Sequence, residues 1–260
     1  MTRPNISVTI ITLNEELNIA RAITSVSWAD EVLVVDSGST DQTVEIAQKL
    51  GARVIHQPWS GYGQQKNHAQ KAARYDWVLN IDADEEVSPE LRDELLQKLT
   101  QLDPNSPVKG FCFPRKTFYL GRWIKYGGWY PNFLTRVADR RFALWSEPQV
   151  HEALEVTGEV ATLQSALHHY TFRSIQDQVL ANVKYSKLGS EQLILRGKSP
   201  SLILLLLKPL GKFLETYVMK RGFLDGLAGF IISINAAHSM FLKYAYLFET
   251  DIQNESSRHR

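Results

Sequence analysis

Short apolar runs rich in β-branched residues punctuate the first hundred positions, and between them apolar side chains recur every three to four residues. That double rhythm predicts strands joined by helical crossovers, which is a mainly parallel α/β sheet. The first strand is expected over residues 6–13, ending at Asn14-Glu15-Glu16, after which Ile19, Ile23 and Val26 fall at helical spacing. A second run, 31–36, closes on Asp36-Ser37-Gly38-Ser39, where Ser39 and Gln42 have capping-box spacing for a helix that Gly51 ends. Residues 53–56 read as a third strand, a Gly-rich stretch opens the segment 61–74, and 77–82 reads as a fourth strand. Ser88-Pro89 places a cap residue and a first-turn proline where a helix to about Leu99 would begin.

From 107 to 170 the pattern turns irregular and aromatic, as expected of a region that completes a sheet and carries loops over a site. Helical periodicity then dominates, with helices expected over 174–196, 202–220 and 223–248 and a frayed polar end at 253–260. The expected organisation is an α/β domain over 1–170, a helical region over 171–252 and the tail 253–260.

Composition changes this picture in two places. Residues 1–183 carry 18 Lys+Arg against 22 Asp+Glu, whereas 184–260 carry 11 against 6, so the helical region is the basic part of a chain whose net charge is only +1. Its charges are interleaved with long aliphatic runs, which suits an anionic membrane surface and argues against nucleic acid as a partner. The lone cysteine, Cys112, excludes an intrachain disulfide and reads as a small core residue; together with the lack of a basic-then-apolar leader it points to a cytosolic compartment.

In an open α/β sheet, ligands bind beyond the carboxyl ends of the strands. Asn14, Glu15, Asp36, Ser37, Asp82 and Asp84 all follow strand-like runs, so the topology gathers them on one edge. No dinucleotide fingerprint and no phosphate-cradling Gly-Lys-Ser/Thr loop follows the first strand. Asp82-Ala83-Asp84 offers another way to neutralise phosphates, because a hard divalent cation takes carboxylate oxygens and bridges diphosphate oxygens. The spacing alone is equally that of a solvated acidic turn. Convergence with Asp36 and Lys66 favours the chemical reading.

The segments Thr12-Leu13-Asn14-Glu15-Glu16, Asp36-Ser37-Gly38-Ser39-Thr40-Asp41, Lys66-Asn67 and Asp82-Ala83-Asp84-Glu85 together resemble the inverting family-2 glycosyltransferases of GT-A fold, in their order and spacing. Gly127-Gly128-Trp129-Tyr130-Pro131, Val150-His151-Glu152 and 220–226 extend the likeness to the bacterial lipopolysaccharide-core β-1,4-glucosyltransferase-like group, over almost the whole chain. The resemblance implies a GT-A domain followed by a membrane-associating helical region. It implies that Asp36 meets uracil, that Asp82 faces the ribose and diphosphate, that Lys66 contacts the nucleotide and that Asn14 and Glu15 border base or ribose. Asp84 would hold Mg²⁺ or Mn²⁺, and His169 of His168-His169-Tyr170 would complete the metal site, as neutral imidazole can.

Inversion needs a base on the acceptor hydroxyl, for which Glu152 is the candidate and Glu147 the alternative; the neighbour of Glu152 is His151, where other members carry a Glu-Asp pair. Trp129 and Tyr130, flanked by Gly127 and Gly128, read either as a mobile loop offering aromatic faces to an acceptor sugar or as a lid packed on the core. Arg136, like Arg115, reads either as a contact to an acidic acceptor or as surface charge. The reaction so implied moves a hexose, glucose from UDP-glucose foremost, to a hydroxyl of a lipid-linked glycan at the cytoplasmic face of a bacterial inner membrane. A polyprenyl-phosphate transferase and an inert nucleotide-sugar-binding module are the rival expectations. No helix in the tail reaches the roughly 20 apolar residues of a spanning segment, so its helices are expected to lie on the inner leaflet or to pack on protein, a second subunit included.

Overall fold

The computed structural model describes residues 3–103, 105–147 and 152–258, with side chains as far as residue 252, and these form two compact units. One comprises the chain up to Lys116 together with Pro131–Thr171. The other comprises Thr117–Tyr130 and the chain from Phe172 onward.

The first unit opens with β1 (Ile6–Thr12), α1 (Ile19–Ser25), β2 (Glu31–Asp36), α2 (Thr43–Lys49), β3 (Arg53–His56), α3 (Tyr62–Ala72) and β4 (Trp77–Asp82). Every residue of β1 is buried, because the strand lies between parallel neighbours β2 and β4 and is covered on both faces. Its alternate residues feed two cores: Ile6, Val8 and Ile10 pack with Val34, Leu79 and Ile81, while Ile11 packs with Leu33, Val35 and Ala69 of α3. Each such aliphatic side chain withdrawn from water contributes about 1.5–3 kcal/mol. Register aligns Thr12 with Asp36 and Ile11 with Asp82, which brings the three strand ends level.

After β5 (Glu85–Val87) and α4 (Pro89–Gln101), the chain returns through β6 (Val108–Tyr119), the short β7 (Arg122–Trp123) and β8 (Asn132–Asp139). A hairpin of β9 (Ala143–Trp145) and β10 (Leu154–Val156) follows, then β11 (Glu159–Thr162) and β12 (Leu167–His169). The main path runs β3-β2-β1-β4-β8-β6-β12-β5. Only the first four strands form the parallel half; β8 joins β4 antiparallel, and β6 joins β8 likewise. The sheet is thus mixed and not mainly parallel, because the aromatic stretch after residue 107 returns without helical crossovers and chiefly by antiparallel strands, with β11 joining β6 in parallel. Ser88 caps α4 as expected, accepting a hydrogen bond from Leu91 N at 3.1 Å. The capping box at Ser39 does not form. Helix α2 starts only at Thr43, and Ser39 instead donates its hydroxyl to Asp36 while Asp41 accepts from Thr43 N.

In the second unit, α5 (Ile175–Leu195) starts from a capping box of Ser174 and Asp177, and α6 (Leu202–Phe213) runs on as a π-helical turn over Leu214–Met219. A short 3-10 turn, Gly222–Asp225, leads into α7 (Gly226–Arg258). The expected frayed end at 253–260 is therefore, through Arg258, a continuation of that helix. A polar seam joins α5 to α7: Asn182 donates to Asn235 O at 3.2 Å, and Gln178 accepts from both Tyr119 and Asn235. Gly229 lets the corner close, since a Cβ there would lie 1.8 Å from Gly222 O. On that corner sits the segment 117–130, which the expected domain boundary at residue 170 assigned elsewhere. Buried Asp225 accepts from Lys125 N and Tyr126 N, Gly127 N donates to Lys220 O, and Trp129 packs on Tyr119 and Phe172. The aromatic loop is consequently fastened by backbone hydrogen bonds and packed through Trp129, which matches the packed reading of the two and not the glycine-hinged mobile one.

Candidate active site

Loops at the carboxyl ends of β1 and β2 are knitted together. Asn14, in the left-handed region at φ 55°, accepts from Thr40 N at 2.8 Å and donates its own N–H to Ser39 Oγ. Glu15 donates N–H to Thr43 Oγ1 and accepts from Asn18 Nδ2. Asp36 is buried and accepts from Gly38 N, Ser39 N and Ser39 Oγ. These residues hold the two loops in fixed positions.

The next loop is tied to this edge through α3. Gln65 donates to Ser37 Oγ and to Gln57 O, both at 3.0 Å, and one position further Lys66 turns inward with 2% of its surface exposed. Its ammonium lies 3.1 Å from Asp82 Oδ1, 3.0 Å from Glu152 Oε1 and 4.7 Å from the ring centre of Trp145. Asn67, beside it, acts as a surrogate strand, accepting from Trp145 N and donating to Trp145 O, each at 2.9 Å. Gly63 is required there: a Cβ would meet Ser146 O at 2.2 Å. Lys66 thus joins two carboxylates separated by 70 residues in sequence.

At the end of β4, Asp82 Oδ2 accepts from Arg136 Nη2 at 2.9 Å, and the same nitrogen lies 3.4 Å from Glu85 Oε1. Glu85, fully buried, also pairs with Arg115 at 3.2 Å and accepts from Asp82 N through its other oxygen. Burial alone would raise the Asp82 carboxyl, but Lys66 and Arg136 outweigh it and hold the group far below the usual carboxylate range. Burial works against the Arg136 charge too, and Glu85 and Asp82 overcome it, keeping the guanidinium charged. Arg136 and Arg115 are therefore committed to buried carboxylates and are not free surface charges.

Asp84 faces a different partner. Its Oδ2 lies 3.2 Å from His169 Nε2, an approach fixed by the antiparallel pairing of β12 with β5 and by Tyr170 N donating to Asp84 O. A carboxylate and an imidazole converging from two strands suit a divalent cation, which would take the remaining ligands from diphosphate and water. Among the described residues no group of three or more such side chains forms, and Asp82, with both oxygens on cations, is poorly placed to serve as a third. Next to His169, burial lowers the His168 imidazole against the opposing pull of Glu86, and Tyr170 is pushed up to about 12 by burial and by its hydrogen bond to Glu86.

Glu147, the alternative base, accepts from Gln64 and Asn67 on α3. Val150 and His151 lie outside the described residues. A cleft of about 230 Å³ opens beside Glu152, lined by Phe133, Thr135, Arg136, Trp145 and Leu154. Trp129 and Tyr130 belong to the helical unit. Trp145 and Glu85 escaped the sequence reading as site residues. The only signals were a Glu extending the Asp-x-Asp cluster and a tryptophan two residues before Glu147.

The family model described as glycosyl transferase family 2 matches residues 7–144. A glycosyltransferase of Rickettsia bellii is 36% identical over 95% of this chain and 87% of its own, and the lipopolysaccharide core biosynthesis glycosyltransferase LpsC of Rhizobium meliloti is 32% identical over 94% and 92%. Among solved structures, glucosyl-3-phosphoglycerate synthase from Mycobacterium tuberculosis, in complex with Mn²⁺, UDP and glucosyl-3-phosphoglycerate, is similar at 22% identity, covering 67% of this chain and 74% of that one with a TM-score of 0.46. By the family model and by relatives spanning nearly its whole length, the chain belongs to glycosyl transferase family 2.

Proposed function

We propose that the chain is an inverting hexosyltransferase that takes a UDP-hexose, glucose foremost, and transfers the sugar to a hydroxyl of a lipid-linked glycan of the lipopolysaccharide-core type. The observation that carries this reading is the Lys66 ammonium seated between Asp82 and Glu152, which joins the donor-side acid to a second carboxylate in one cluster. Asp36, Asn14 and Glu15 frame the base and ribose end; Asp84 and His169 would hold Mg²⁺ or Mn²⁺. That ion, when bound, supplies positive charge against the departing diphosphate.

Glu152 acts as the base. It accepts the proton of the acceptor hydroxyl as the oxygen forms its bond to the anomeric carbon, while the bond from that carbon to the diphosphate breaks and UDP leaves with the electron pair. Such a base contributes about 10²- to 10⁴-fold in rate. Diphosphate arriving beside Asp82 competes for Lys66, which loosens the ion pair on Glu152. Replacing Glu152 by Gln is expected to abolish transfer and leave the affinity for UDP intact; turnover near the wild-type rate would exclude the role and favour an acceptor that attacks with its own phosphate oxygen.

The helical unit supports a site of action at a lipid surface. No described helix is long and apolar enough to cross a membrane. On α6, however, Leu202, Ile203, Leu206, Leu207 and Leu210 are exposed, with Lys208 between them, and Leu227 and Ile234 are exposed on α7. Apolar exposure on this scale marks an interaction surface, and basic residues among aliphatic ones fit anionic headgroups. The reading is therefore of a peripheral protein at the cytoplasmic face of the inner membrane. Cosedimentation with vesicles containing phosphatidylglycerol, lost in Leu206→Glu/Leu210→Glu and absent with neutral vesicles, is the expected result; a stable homo-oligomer that ignores vesicles would overturn it.

A further inference from the structure

The cleft beside Glu152 contains two polar groups that the reaction as derived does not use. Arg136 Nη1 and Trp145 Nε1 are both shut away from solvent, and neither has a hydrogen-bond acceptor among the described residues. The two residues are 5% and 2% exposed, and both line the same cleft. A buried N–H without an acceptor is destabilising, more so where it carries charge, so two in one small cleft ask for an explanation. Neither guanidinium nor indole can accept a hydrogen bond, so the missing occupant must supply lone pairs. None of the residues assigned to the nucleotide, Asn14, Glu15, Asp36, Lys66 or Asp82, lines the cleft, whereas Glu152 does. It therefore lies on the acceptor side of the base.

Charge narrows the occupant further. Lys66, Arg115 and Arg136 face Asp82, Glu85 and Glu152, three cations against three carboxylates. When Glu152 takes the acceptor proton, the cluster is left with one positive charge in excess. Phe133, Leu134, Ala153 and Leu154 supply apolar walls, in which a charge-assisted hydrogen bond is worth more than in water.

Resting on the glycosyltransferase reading, we propose that this cleft is an anion subsite for the acceptor, taking a carboxylate or phosphate oxygen carried on the acceptor carbohydrate, with Arg136 Nη1 and Trp145 Nε1 as its donors. The enzyme thereby selects acidic acceptors over neutral ones. Because both nitrogens are closed off from solvent, the cleft wall must shift to admit the anion.

Trp145→Phe tests this directly, since it removes one donor and keeps the ring that covers Lys66. Full-length protein saturated with UDP and Mn²⁺ is titrated calorimetrically with inorganic phosphate and, separately, with glucuronate, so that the two arms distinguish the phosphate from the carboxylate source. One of them is expected to bind wild-type protein and to bind the Trp145→Phe variant about tenfold more weakly, the loss of one hydrogen bond to a charged group, with the UDP affinity unchanged. In transfer assays, the KM for an acidic acceptor should rise by a similar factor while that for its neutral counterpart stays. Failure of both anions to bind, or equal binding by the variant, would overturn the proposal and leave buried water as the partner of these donors. Anion binding that persists in a protein unable to bind UDP or transfer sugar would instead sink the glycosyltransferase reading and leave the anion site standing.

Discussion

Lys66→Met probes the junction on which the site depends. The substitution keeps the length and most of the apolar stem of the side chain and removes only the ammonium, which is 2% exposed and lies within 3.1 Å of both Asp82 and Glu152. Breaking a fully buried ion pair by removing one partner costs about 3–5 kcal/mol, because the other charge stays in place without compensation. Here the two carboxylates keep 28% and 21% of their side-chain surface, and Arg136 remains on Asp82, so water and the guanidinium recover part of it. The expected loss is about 2–3 kcal/mol, read from urea unfolding followed by tryptophan fluorescence. Adding Glu152→Gln should return about 1 kcal/mol, since it removes one of the stranded charges, and the double-mutant cycle then shows a coupling of about 1 kcal/mol plus the cost of Glu152→Gln alone.

The pH dependence carries its own sign. Lys66 helps to hold the Asp82 carboxyl below its ordinary value of 3.8, so the wild-type protein has a stabilising contribution that is fully present above that value and is lost as pH falls toward the depressed one. Lys66→Met lacks much of that contribution. The stability gap between the two proteins should accordingly be widest at neutral pH and narrow below about pH 4. A variant within about 0.5 kcal/mol of wild type, strictly additive with Glu152→Gln, would refute the bridging role, because surface lysines behave that way.

Three further outcomes follow from specific contacts. Gly63→Ala places a methyl group where Ser146 O already stands, at 2.2 Å, so α3 must draw back; a destabilisation of about 1–3 kcal/mol and a fall in transfer rate are expected, and an unchanged unfolding midpoint would show that the approach is looser than described. Asp225→Ala strands the N–H groups of Lys125 and Tyr126, and hydrogen exchange at those two amides should accelerate by about tenfold or more relative to β1, whereas unchanged protection would deny Asp225 the clamping role. In spectrophotometric titration one tyrosine should resist ionisation until about pH 12 and lose that resistance in Glu86→Gln, since Tyr170 owes its raised value to burial and to Glu86; the stability tied to neutral Tyr170 is present below its ordinary value of 10.0 and disappears as pH rises through 12.

What could be read in advance divides along a physical line. Strands β1, β2 and β4 were legible because their residues are buried on both faces and leave continuous apolar runs, and the strand-end rule then gathered Asn14, Asp36 and Asp82 without any knowledge of side-chain partners. Ser39 misled because a serine at capping spacing has two uses, and Asp36, three residues away, took its hydroxyl before the helix could. Arg136 stayed open between an acceptor contact and surface charge for a longer-range reason. In a stretch reading Phe-Leu-Thr-Arg-Val-Ala-Asp, an arginine on an alternating strand looks solvent-facing, and only the carboxylates of Asp82 and Glu85, more than 50 positions earlier, turn it into a buried charge. The Gly127-Gly128 loop could be read as mobile or as packed for the same reason, since the carboxylate that fixes it is Asp225, 99 and 100 positions beyond the amides it holds. A local pattern reports which backbone an element prefers. Whether a polar side chain is exposed, clamped or left with an open valence depends on partners supplied by topology, so the donors left open at Arg136 and Trp145 became visible only once the fold had brought them to the same cleft as Glu152.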